Sequence, residues 1–316
     1  MSNPFQSDQF RQSHPLAEEG IAAGPGERSA FDPLFDADLV RRALAEDIGR
    51  GDVTTQATIA PGTMSSARFV ARQAGVAAGL PIAALTFALL DPAVQFETLT
   101  PDGSSVAAGE TLARVTGDAA ALLTGERTAL NFLGRLSGIA TLAAQCVAEV
   151  AGTRARIVDT RKTTPGLRLL EKYAVRMGGA SNHRAGLDDG ILIKDNHIAA
   201  AGGLTLAVQR ARAHASHLLK IEVECDREEQ VREAIAAGAD AILLDNMTPD
   251  QLRHAVALIR EQAPAITIEA SGNIGADPHK LAVVAATGVD LISLGALTHS
   301  APHLDVALDF EPAPTF

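Results

Sequence analysis

The sequence predicts an α/β protein: an N-terminal α+β sandwich domain plus an incomplete, six-stranded α/β barrel. Three observations carry that expectation. After Arg154, short β-branched runs alternate with Ala/Leu-rich helical stretches, the rhythm of parallel strands joined by right-handed crossovers. Each run delivers polar or small residues at its C-terminal end, and a barrel gathers such ends around one mouth. Before Arg154 the chain mixes β-like pieces with one or two helices, the pattern of a two-layer α+β unit. At 316 residues and 47% hydrophobic, the chain can bury both cores.

Taken in order, residues 1–32 are polar, rich in Gly, Pro and Ser, and read as a flexible tail without the features of a signal peptide. Asp36-Ala37-Asp38 opens a short helix with an apolar stripe of Leu39, Val40, Ala43 and Leu44, and Gly49 ends it. The following GRGDVTTQATI reads as a turn leading into strand-like residues, with Arg-Gly-Asp a turn and no adhesion motif. Segments 65–71, 94–100 and 111–116 read as strands, 81–90 as a helix and Asp102-Gly103 as a turn. A lipoyl or biotinyl carrier would need an attachment lysine here, and the first lysine of the chain is Lys162. Over 118–150, apolar residues at spacings of three and four predict one helix or two, interrupted by Gly125, Gly134 and Gly138.

The barrel strands are expected at 156–159, 191–194, 219–225, 241–245, 267–270 and 291–294, with helices around 204–216, 227–237, 249–262 and 277–287. No glycine-rich fingerprint follows the first of these strands, which disfavours an open nucleotide-binding sheet. The sandwich should therefore span 33–128, joined by 301–316, and the barrel 129–300.

Composition narrows the function. Aromatics are 3% with no Trp, and the net charge is -11, which together exclude a base-stacking nucleic-acid binder. No apolar run is long enough to span a bilayer, and Cys146 and Cys225 lie in apolar contexts without metal spacing. These features point to a soluble cytoplasmic protein.

Within this acidic chain, Arg154, Arg156, Arg161, Lys162, Arg168, Lys172, Arg176, Arg184 and Lys194 crowd one stretch. They face only Asp159, Glu171, Asp188, Asp189 and Asp195. Charge alone would favour a solvated, salt-bridged helix face. Two features favour an anion pocket instead. Arg161-Lys162 and Lys194 sit at strand ends, and DTRKTTPG packs charge, hydroxyls, Pro and Gly into one turn. Arg161, Lys162, His183, Arg184 and Lys194 thus form a cationic half of the mouth, and Glu224 and Asp245 an anionic half. Those carboxylates either hold a hard cation such as Mg²⁺ or pair internally with Lys194 or Arg184, and the residues leave both open. Ser271-Gly272-Asn273 and Gly295-Ala296 are small enough to bring backbone N–H groups to a phosphate.

At these residues the chain resembles the quinolinate phosphoribosyltransferase family. The resemblance lies in LAEDIGRGDVTT (44–55), GERTALNFL (125–133), DTRKTTPGLRLLEKYAVRMGGASNHRAGLDDGILIKDNH (159–197), IEVEC (221–225), ILLDNM (242–247), EASGNI (269–274) and GALTHS (295–300). It runs in unbroken order over about 36–310, and the 159–197 segment is its most specific part. It implies transfer of phosphoribosyl from phosphoribosyl pyrophosphate to quinolinate with decarboxylation, using Mg²⁺, in de novo NAD synthesis. It also implies an assembly of at least a homodimer. The family's substrate pocket falls on Arg127, Thr160, Arg161, Lys162, His183, Arg184 and Lys194, with Arg127 reaching into the neighbouring subunit. Its ribose and metal side falls on Glu224 and Asp245, its phosphate loops on Ser271, Gly272, Asn273, Leu294, Gly295 and Ala296. Glu222 also resembles a family position, with a lesser role. Catalysis would then rest on Lys162, Glu224 and Asp245. The rival readings are a phosphoribosyltransferase for another base, a lyase forming a Schiff base at Lys162 or Lys194, and a silent binder of phosphoribosyl pyrophosphate.

Overall fold

The computed structural model describes residues 33–311; the expected tail at 1–32, and residues 312–316 of the C-terminal segment, lie outside them. The chain begins with α1 (Pro33–Ile48) and α2 (Val53–Thr58), then β1 (Met64–Ala71), β2 (Gly75–Val76), α3 (Leu80–Leu90), β3 (Gln95–Thr98), β4 (Ser105–Val106) and β5 (Thr111–Asp118). α2 corrects the expected turn into strand over GRGDVTTQATI. Its threonines are weak helix formers, and Asp52 supplies what propensity lacks. The Asp52 carboxylate accepts the Thr55 N–H at 2.9 Å and the Thr124 hydroxyl at 3.1 Å, capping α2 and docking it on the next long helix. The two-residue pair β2 and β4 was too short to carry a periodic signal.

β1, β5 and β3 pair antiparallel, and the last strand of the chain, Val306–Phe310, pairs with the free edge of β1. This sheet packs on α3 and on the first half of α4 (Ala119–Glu149) through Phe69, Phe87, Leu112, Val115, Leu122, Leu130 and Leu133. The Phe96 ring adds a tilted contact to Phe69 at 5.6 Å.

α4 is one helix of 31 residues, started by Asp118, whose carboxylate accepts the Ala120 and Ala121 N–H groups. Its glycines mark close approach. A Cβ on Gly138 would fall on the carbonyl oxygen of Pro302, and one on Gly134 would press on Leu304 O at 3.0 Å. They seat the 302–304 segment, whose Leu304 N–H donates to Gly134 O at 2.9 Å, before the chain rejoins the first sheet.

The second half is built from β6 (Arg156–Val158), α5 (Arg168–Met177), β7 (Ile191–Ile193), α6 (Asp195–Ala201), α7 (Leu204–His214) and β8 (Ile221–Cys225). It continues with α8 (Glu228–Ala237), β9 (Ala241–Asp245), α9 (Pro249–Gln262), β10 (Thr267–Ser271), α10 (Pro278–Ala285), β11 (Leu291–Ser293) and α11 (Ala296–His299), before β12 (Val306–Phe310). The six strands β6 to β11 are parallel in the order β6-β11-β10-β9-β8-β7. The ring therefore closes between its first and last strands and stays open between β6 and β7, where a lone bridge joins Val158 to Ser181.

Strand alternation divides the two faces. Ile157, Ile193, Ile221, Val223, Ile242, Leu244, Ile268 and Ile292 are buried under the helices. The register sets Glu222, Glu224, Asp245, Thr267, Glu269, Ser271 and Ser293 on the opposite, concave face. Substituting Gly138→Ala should destabilise the protein by about 1–3 kcal/mol through overpacking, read as a lower thermal midpoint by circular dichroism. An unchanged midpoint would mean that the 302–304 segment has slack against α4.

Candidate active site

The polar ends of β6 to β11 meet at one rim, and two loops fill the gap beside β6. Loop 160–167 carries Arg161 and Lys162; loop 181–190 carries His183 and Arg184. Both hang from α5, a helix that the charge-rich sequence does not announce. Glu171 and Lys172 are buried there. Lys172 donates to the buried Asp159 carboxylate and, at 3.0 Å, to His183 O. Asp159 also accepts the His183 N–H at 2.8 Å and Asn182 Nδ2 at 2.6 Å. Glu171 accepts the Thr164 N–H at 3.0 Å, the Thr164 hydroxyl at 2.8 Å and Arg135 Nη2 at 2.7 Å. Each buried charge is thus compensated by neighbours that fix a loop.

Arg161 and Arg184 come together from the two loops. Burial, then the charge of Arg161, lower the proton affinity of the Arg184 guanidinium. Arg184 Nη1 donates to Gly190 O at 3.0 Å, whereas the buried Arg161 Nε has no acceptor. A buried, unsatisfied guanidinium N–H beside a second arginine is prepared for an anionic oxygen.

Beneath them lies His183. Its Nε2 is 3.1 Å from Glu222 Oε2 and 3.4 Å from Glu269 Oε2. Burial lowers the ring's proton affinity, but hydrogen bonds and charge from Glu222 and Glu269 more than offset this and raise the pKa to about 10. Two contrary influences are present. The Arg184 N–H, 2.7 Å from Nδ1, favours the neutral ring, and burial pushes the Glu222 carboxyl up. The charged ring prevails because Glu269, 1% exposed, adds a second carboxylate in a recess shielded from water. These three side chains bring ligand atoms within 4.8 Å of one another. With the Arg184 guanidinium alongside and the ring protonated, the three form an ion-paired cluster and a poor metal site: His183 Nε2 hydrogen-bonds Glu222, and Glu269, whose buried oxygens have no hydrogen-bond partner, contributes charge.

The carboxylates better suited to a hard cation stand higher on the rim. Glu224 and Asp245 end the adjacent strands β8 and β9. Lys194 Nζ pairs with Glu224, and Asn246 Nδ2 donates to Asp245 Oδ2 at 2.6 Å. Gly272, with φ +82°, lets the end of β9 come close: a Cβ there would collide with the Asn246 side-chain amide and lie 2.8 Å from Asp245 Oδ1. Two half-buried carboxylates at the ends of adjacent strands are the donor type that could hold Mg²⁺ keeping several waters.

On the far side, the Ser293 hydroxyl donates to Ser271 Oγ at 2.9 Å, and Asn273 adopts φ +31° after Gly272. Gly295 makes room for the Lys162 stem, which a Cβ would meet at 3.0 Å. The Lys162 N–H donates to Thr160 Oγ1 at 3.0 Å, and Lys162 O accepts the Thr298 hydroxyl at 2.8 Å. The Leu294 N–H is already engaged by Val158 O at 2.9 Å. Ala296 starts α11 beside them. Arg127 stands apart: exposed on α4, it lines a recess of about 300 Å³ with Asp47, Asp52, Val53 and Thr124.

Asp159, Glu171, Lys172 and Glu269 were visible in the sequence without a role. The period of two in TIEAS, with Thr267, Glu269 and Ser271 on one face, was the signal that places Glu269 on the concave side.

The comparisons agree with this geometry. Residues 139–309 match the family model described as quinolinate phosphoribosyl transferase, C-terminal domain, and residues 52–137 the corresponding N-terminal domain. The chain is 51% identical over 289 residues to a probable nicotinate-nucleotide pyrophosphorylase [carboxylating] of Synechocystis, covering 91% of this chain and 97% of the relative. It is 41% identical over 278 residues to the nicotinate-nucleotide pyrophosphorylase [carboxylating] of Homo sapiens, covering 87% and 92%. The structure of the nicotinate-nucleotide pyrophosphorylase from Francisella tularensis superposes with a TM-score of 0.84 at 38% identity, covering 89% of this chain and 98% of that one.

The raised pKa of His183 makes a pH signature. Its stabilising contribution is full below the unfolded value of 6.5 and disappears as pH rises through about 10. Thermal midpoints should therefore fall more steeply from pH 6.5 to 10 in the parent protein than in His183→Gln. Parallel curves would show that Glu222, Glu269 and Arg184 leave the ring neutral.

Proposed function

The chain belongs to the quinolinate phosphoribosyltransferase family, and from that premise we propose how its rim divides the work. It is a carboxylating nicotinate-nucleotide pyrophosphorylase, converting quinolinate and phosphoribosyl pyrophosphate into nicotinate mononucleotide, CO₂ and pyrophosphate in NAD biosynthesis. The observation that carries the assignment of the pocket is the unsatisfied Arg161 Nε beside Arg184.

Quinolinate presents two adjacent carboxylates. Arg161 and Arg184 hold them through forked, charge-assisted hydrogen bonds, with His183 and Lys194 adding positive charge. Thr160 orders the turn that carries Lys162. The pyridine nitrogen is already a nucleophile, so no protein base is needed. It bonds to the ribose carbon as the bond to pyrophosphate breaks, through an oxocarbenium-like state. Lys162 stabilises charge as it builds on the departing pyrophosphate. The positive charge on the alkylated nitrogen then stabilises the electron pair left on the adjacent ring carbon as its carboxylate leaves as CO₂, and that pair takes a proton. Orientation and charge placement are the protein's main contribution.

Glu224 and Asp245 position the ribose hydroxyls and would hold Mg²⁺, which when bound neutralises diphosphate charge. Lys194 holds Glu224 in this structure, and an ion-paired ammonium is a poor Schiff-base nucleophile. Ser271, Gly272, Asn273, Gly295 and Ala296 cradle phosphate, and Leu294, buried with its N–H bonded to Val158 O, holds that turn in place. Arg127, exposed and away from the rim, completes the pocket of a partner in a homodimer. Cytoplasmic residence is supported by free, buried Cys146 and Cys225, whose thiols burial pushes up to about 11 and about 12. No helix among the described residues is long and apolar enough to cross a membrane.

Arg161→Ala should raise the quinolinate KM roughly ten- to hundredfold, the worth of one charged hydrogen bond, while Glu224→Ala should instead raise the Mg²⁺ requirement. Unchanged quinolinate kinetics in folded Arg161→Ala, or nicotinate turned over as well as quinolinate, would refute the pocket assignment. Sharing of Arg127 is tested by mixing inactive Arg127→Ala with inactive Lys162→Ala. Hybrid dimers should regain activity, and none despite verified subunit exchange would place Arg127 outside the site.

A further inference from the structure

The two arginines of the pocket stand on separate loops, and like charges held this close repel. Their spacing needs a tether. Arg168, the first residue of α5, touches both loops. Its Nε donates to Thr163 Oγ1 at 3.0 Å, its Nη2 to Arg161 O at 3.5 Å, and its Nη1 to Ala185 O at 3.1 Å. One planar guanidinium thus spans the carbonyl of Arg161 and that of the residue following Arg184. Asp189 fastens the same stretch from its other side, accepting the Ala185 N–H at 2.6 Å and the Gly186 N–H at 3.0 Å. Among the described residues no carboxylate pairs with Arg168. A third positive charge beside two others is unfavourable on electrostatic grounds, so geometry is what the guanidinium supplies here.

We propose that Arg168 is a positioning residue for this reaction: it sets the spacing of Arg161 and Arg184, and through them the preference for a ring bearing two adjacent carboxylates over a ring bearing one. The proposal rests on the reading of Arg161 and Arg184 as the carboxylate holders. A single carboxylate needs one arginine, whereas two on neighbouring ring atoms need both at a fixed separation. A lysine at 168 keeps the charge and loses the fork.

The test is a kinetic cycle with Arg168→Lys and Arg184→Gln, with thermal midpoints confirming folding. Arg168→Lys should raise the quinolinate KM about tenfold, the scale of one weakened hydrogen bond to a bound carboxylate, and leave the phosphoribosyl pyrophosphate KM unchanged. The preference for binding quinolinate over nicotinate should shrink by a similar factor. On top of Arg184→Gln the same change should add little, because a spacing has no meaning once one member is gone. An unchanged quinolinate KM, equal rises in both KM values, or the full tenfold cost repeated in the Arg184→Gln background overturns the proposal. If Arg184→Gln alone leaves the quinolinate KM untouched, the carboxylate-holder reading fails and takes the tether with it. Should Arg168→Lys not fold, Thr163→Val removes one anchor and is read by the same criteria.

Discussion

The site depends on the buried ion pair of Asp159 and Lys172. Removing two charges from water costs several kcal/mol per ion, and their mutual attraction repays this only when the remaining donors and acceptors are satisfied. Here they are, and the extra bonds all fasten one segment. Asp159 takes Asn182 Nδ2 and the His183 N–H, while Lys172 takes His183 O. The end of β6, helix α5 and the loop entering the barrel gap are thereby one unit. Residues 168 and 171 extend the same logic to the second loop, so α5 spends its polar side chains on the interior of the site.

The barrel shows how strand alternation makes a charged interior affordable. Its apolar residues face the helices, where Ile221, Val223, Ile242 and Ile268 are fully buried. That leaves the concave face free for Glu222, Glu224, Asp245, Glu269 and Ser271. The opening between β6 and β7 then lets loop 181–190 bring His183 down onto Glu222 and Glu269. Cations enter from the open side and carboxylates stand on the continuous sheet. On the proposed reading, this separation would place a dicarboxylic ring on one side and a sugar diphosphate with its cation on the other.

Much of this was legible along the chain. The six barrel strands were placed within about two residues because each is a β-branched run closed by a polar or small residue, and those closures named the rim from Thr160 to Ala296. Local signals failed where structure is made by contacts far apart in sequence. α2 needed the Asp52 cap and its anchor on Thr124. α5 hid because Glu171 and Lys172 look like surface charge until Thr164, Arg135 and Asp159 are brought to them. Gly134 and Gly138 looked like breaks in a helix, and are the places where residues 302–304 come against it.

What the sequence determined by itself was the inventory: strand and helix periods, the ends of strands, and the motifs that mark the family. These depend on neighbours a few residues away, so order along the chain suffices. What the tertiary structure alone decided was pairing. It decided where the ring stays open, that Glu269 stands under His183, that Lys194 holds Glu224, and that Arg168 spans two loops. Each of these is a distance between residues separated by many positions, and such distances are set by packing and register, which exist only once the chain has closed on itself.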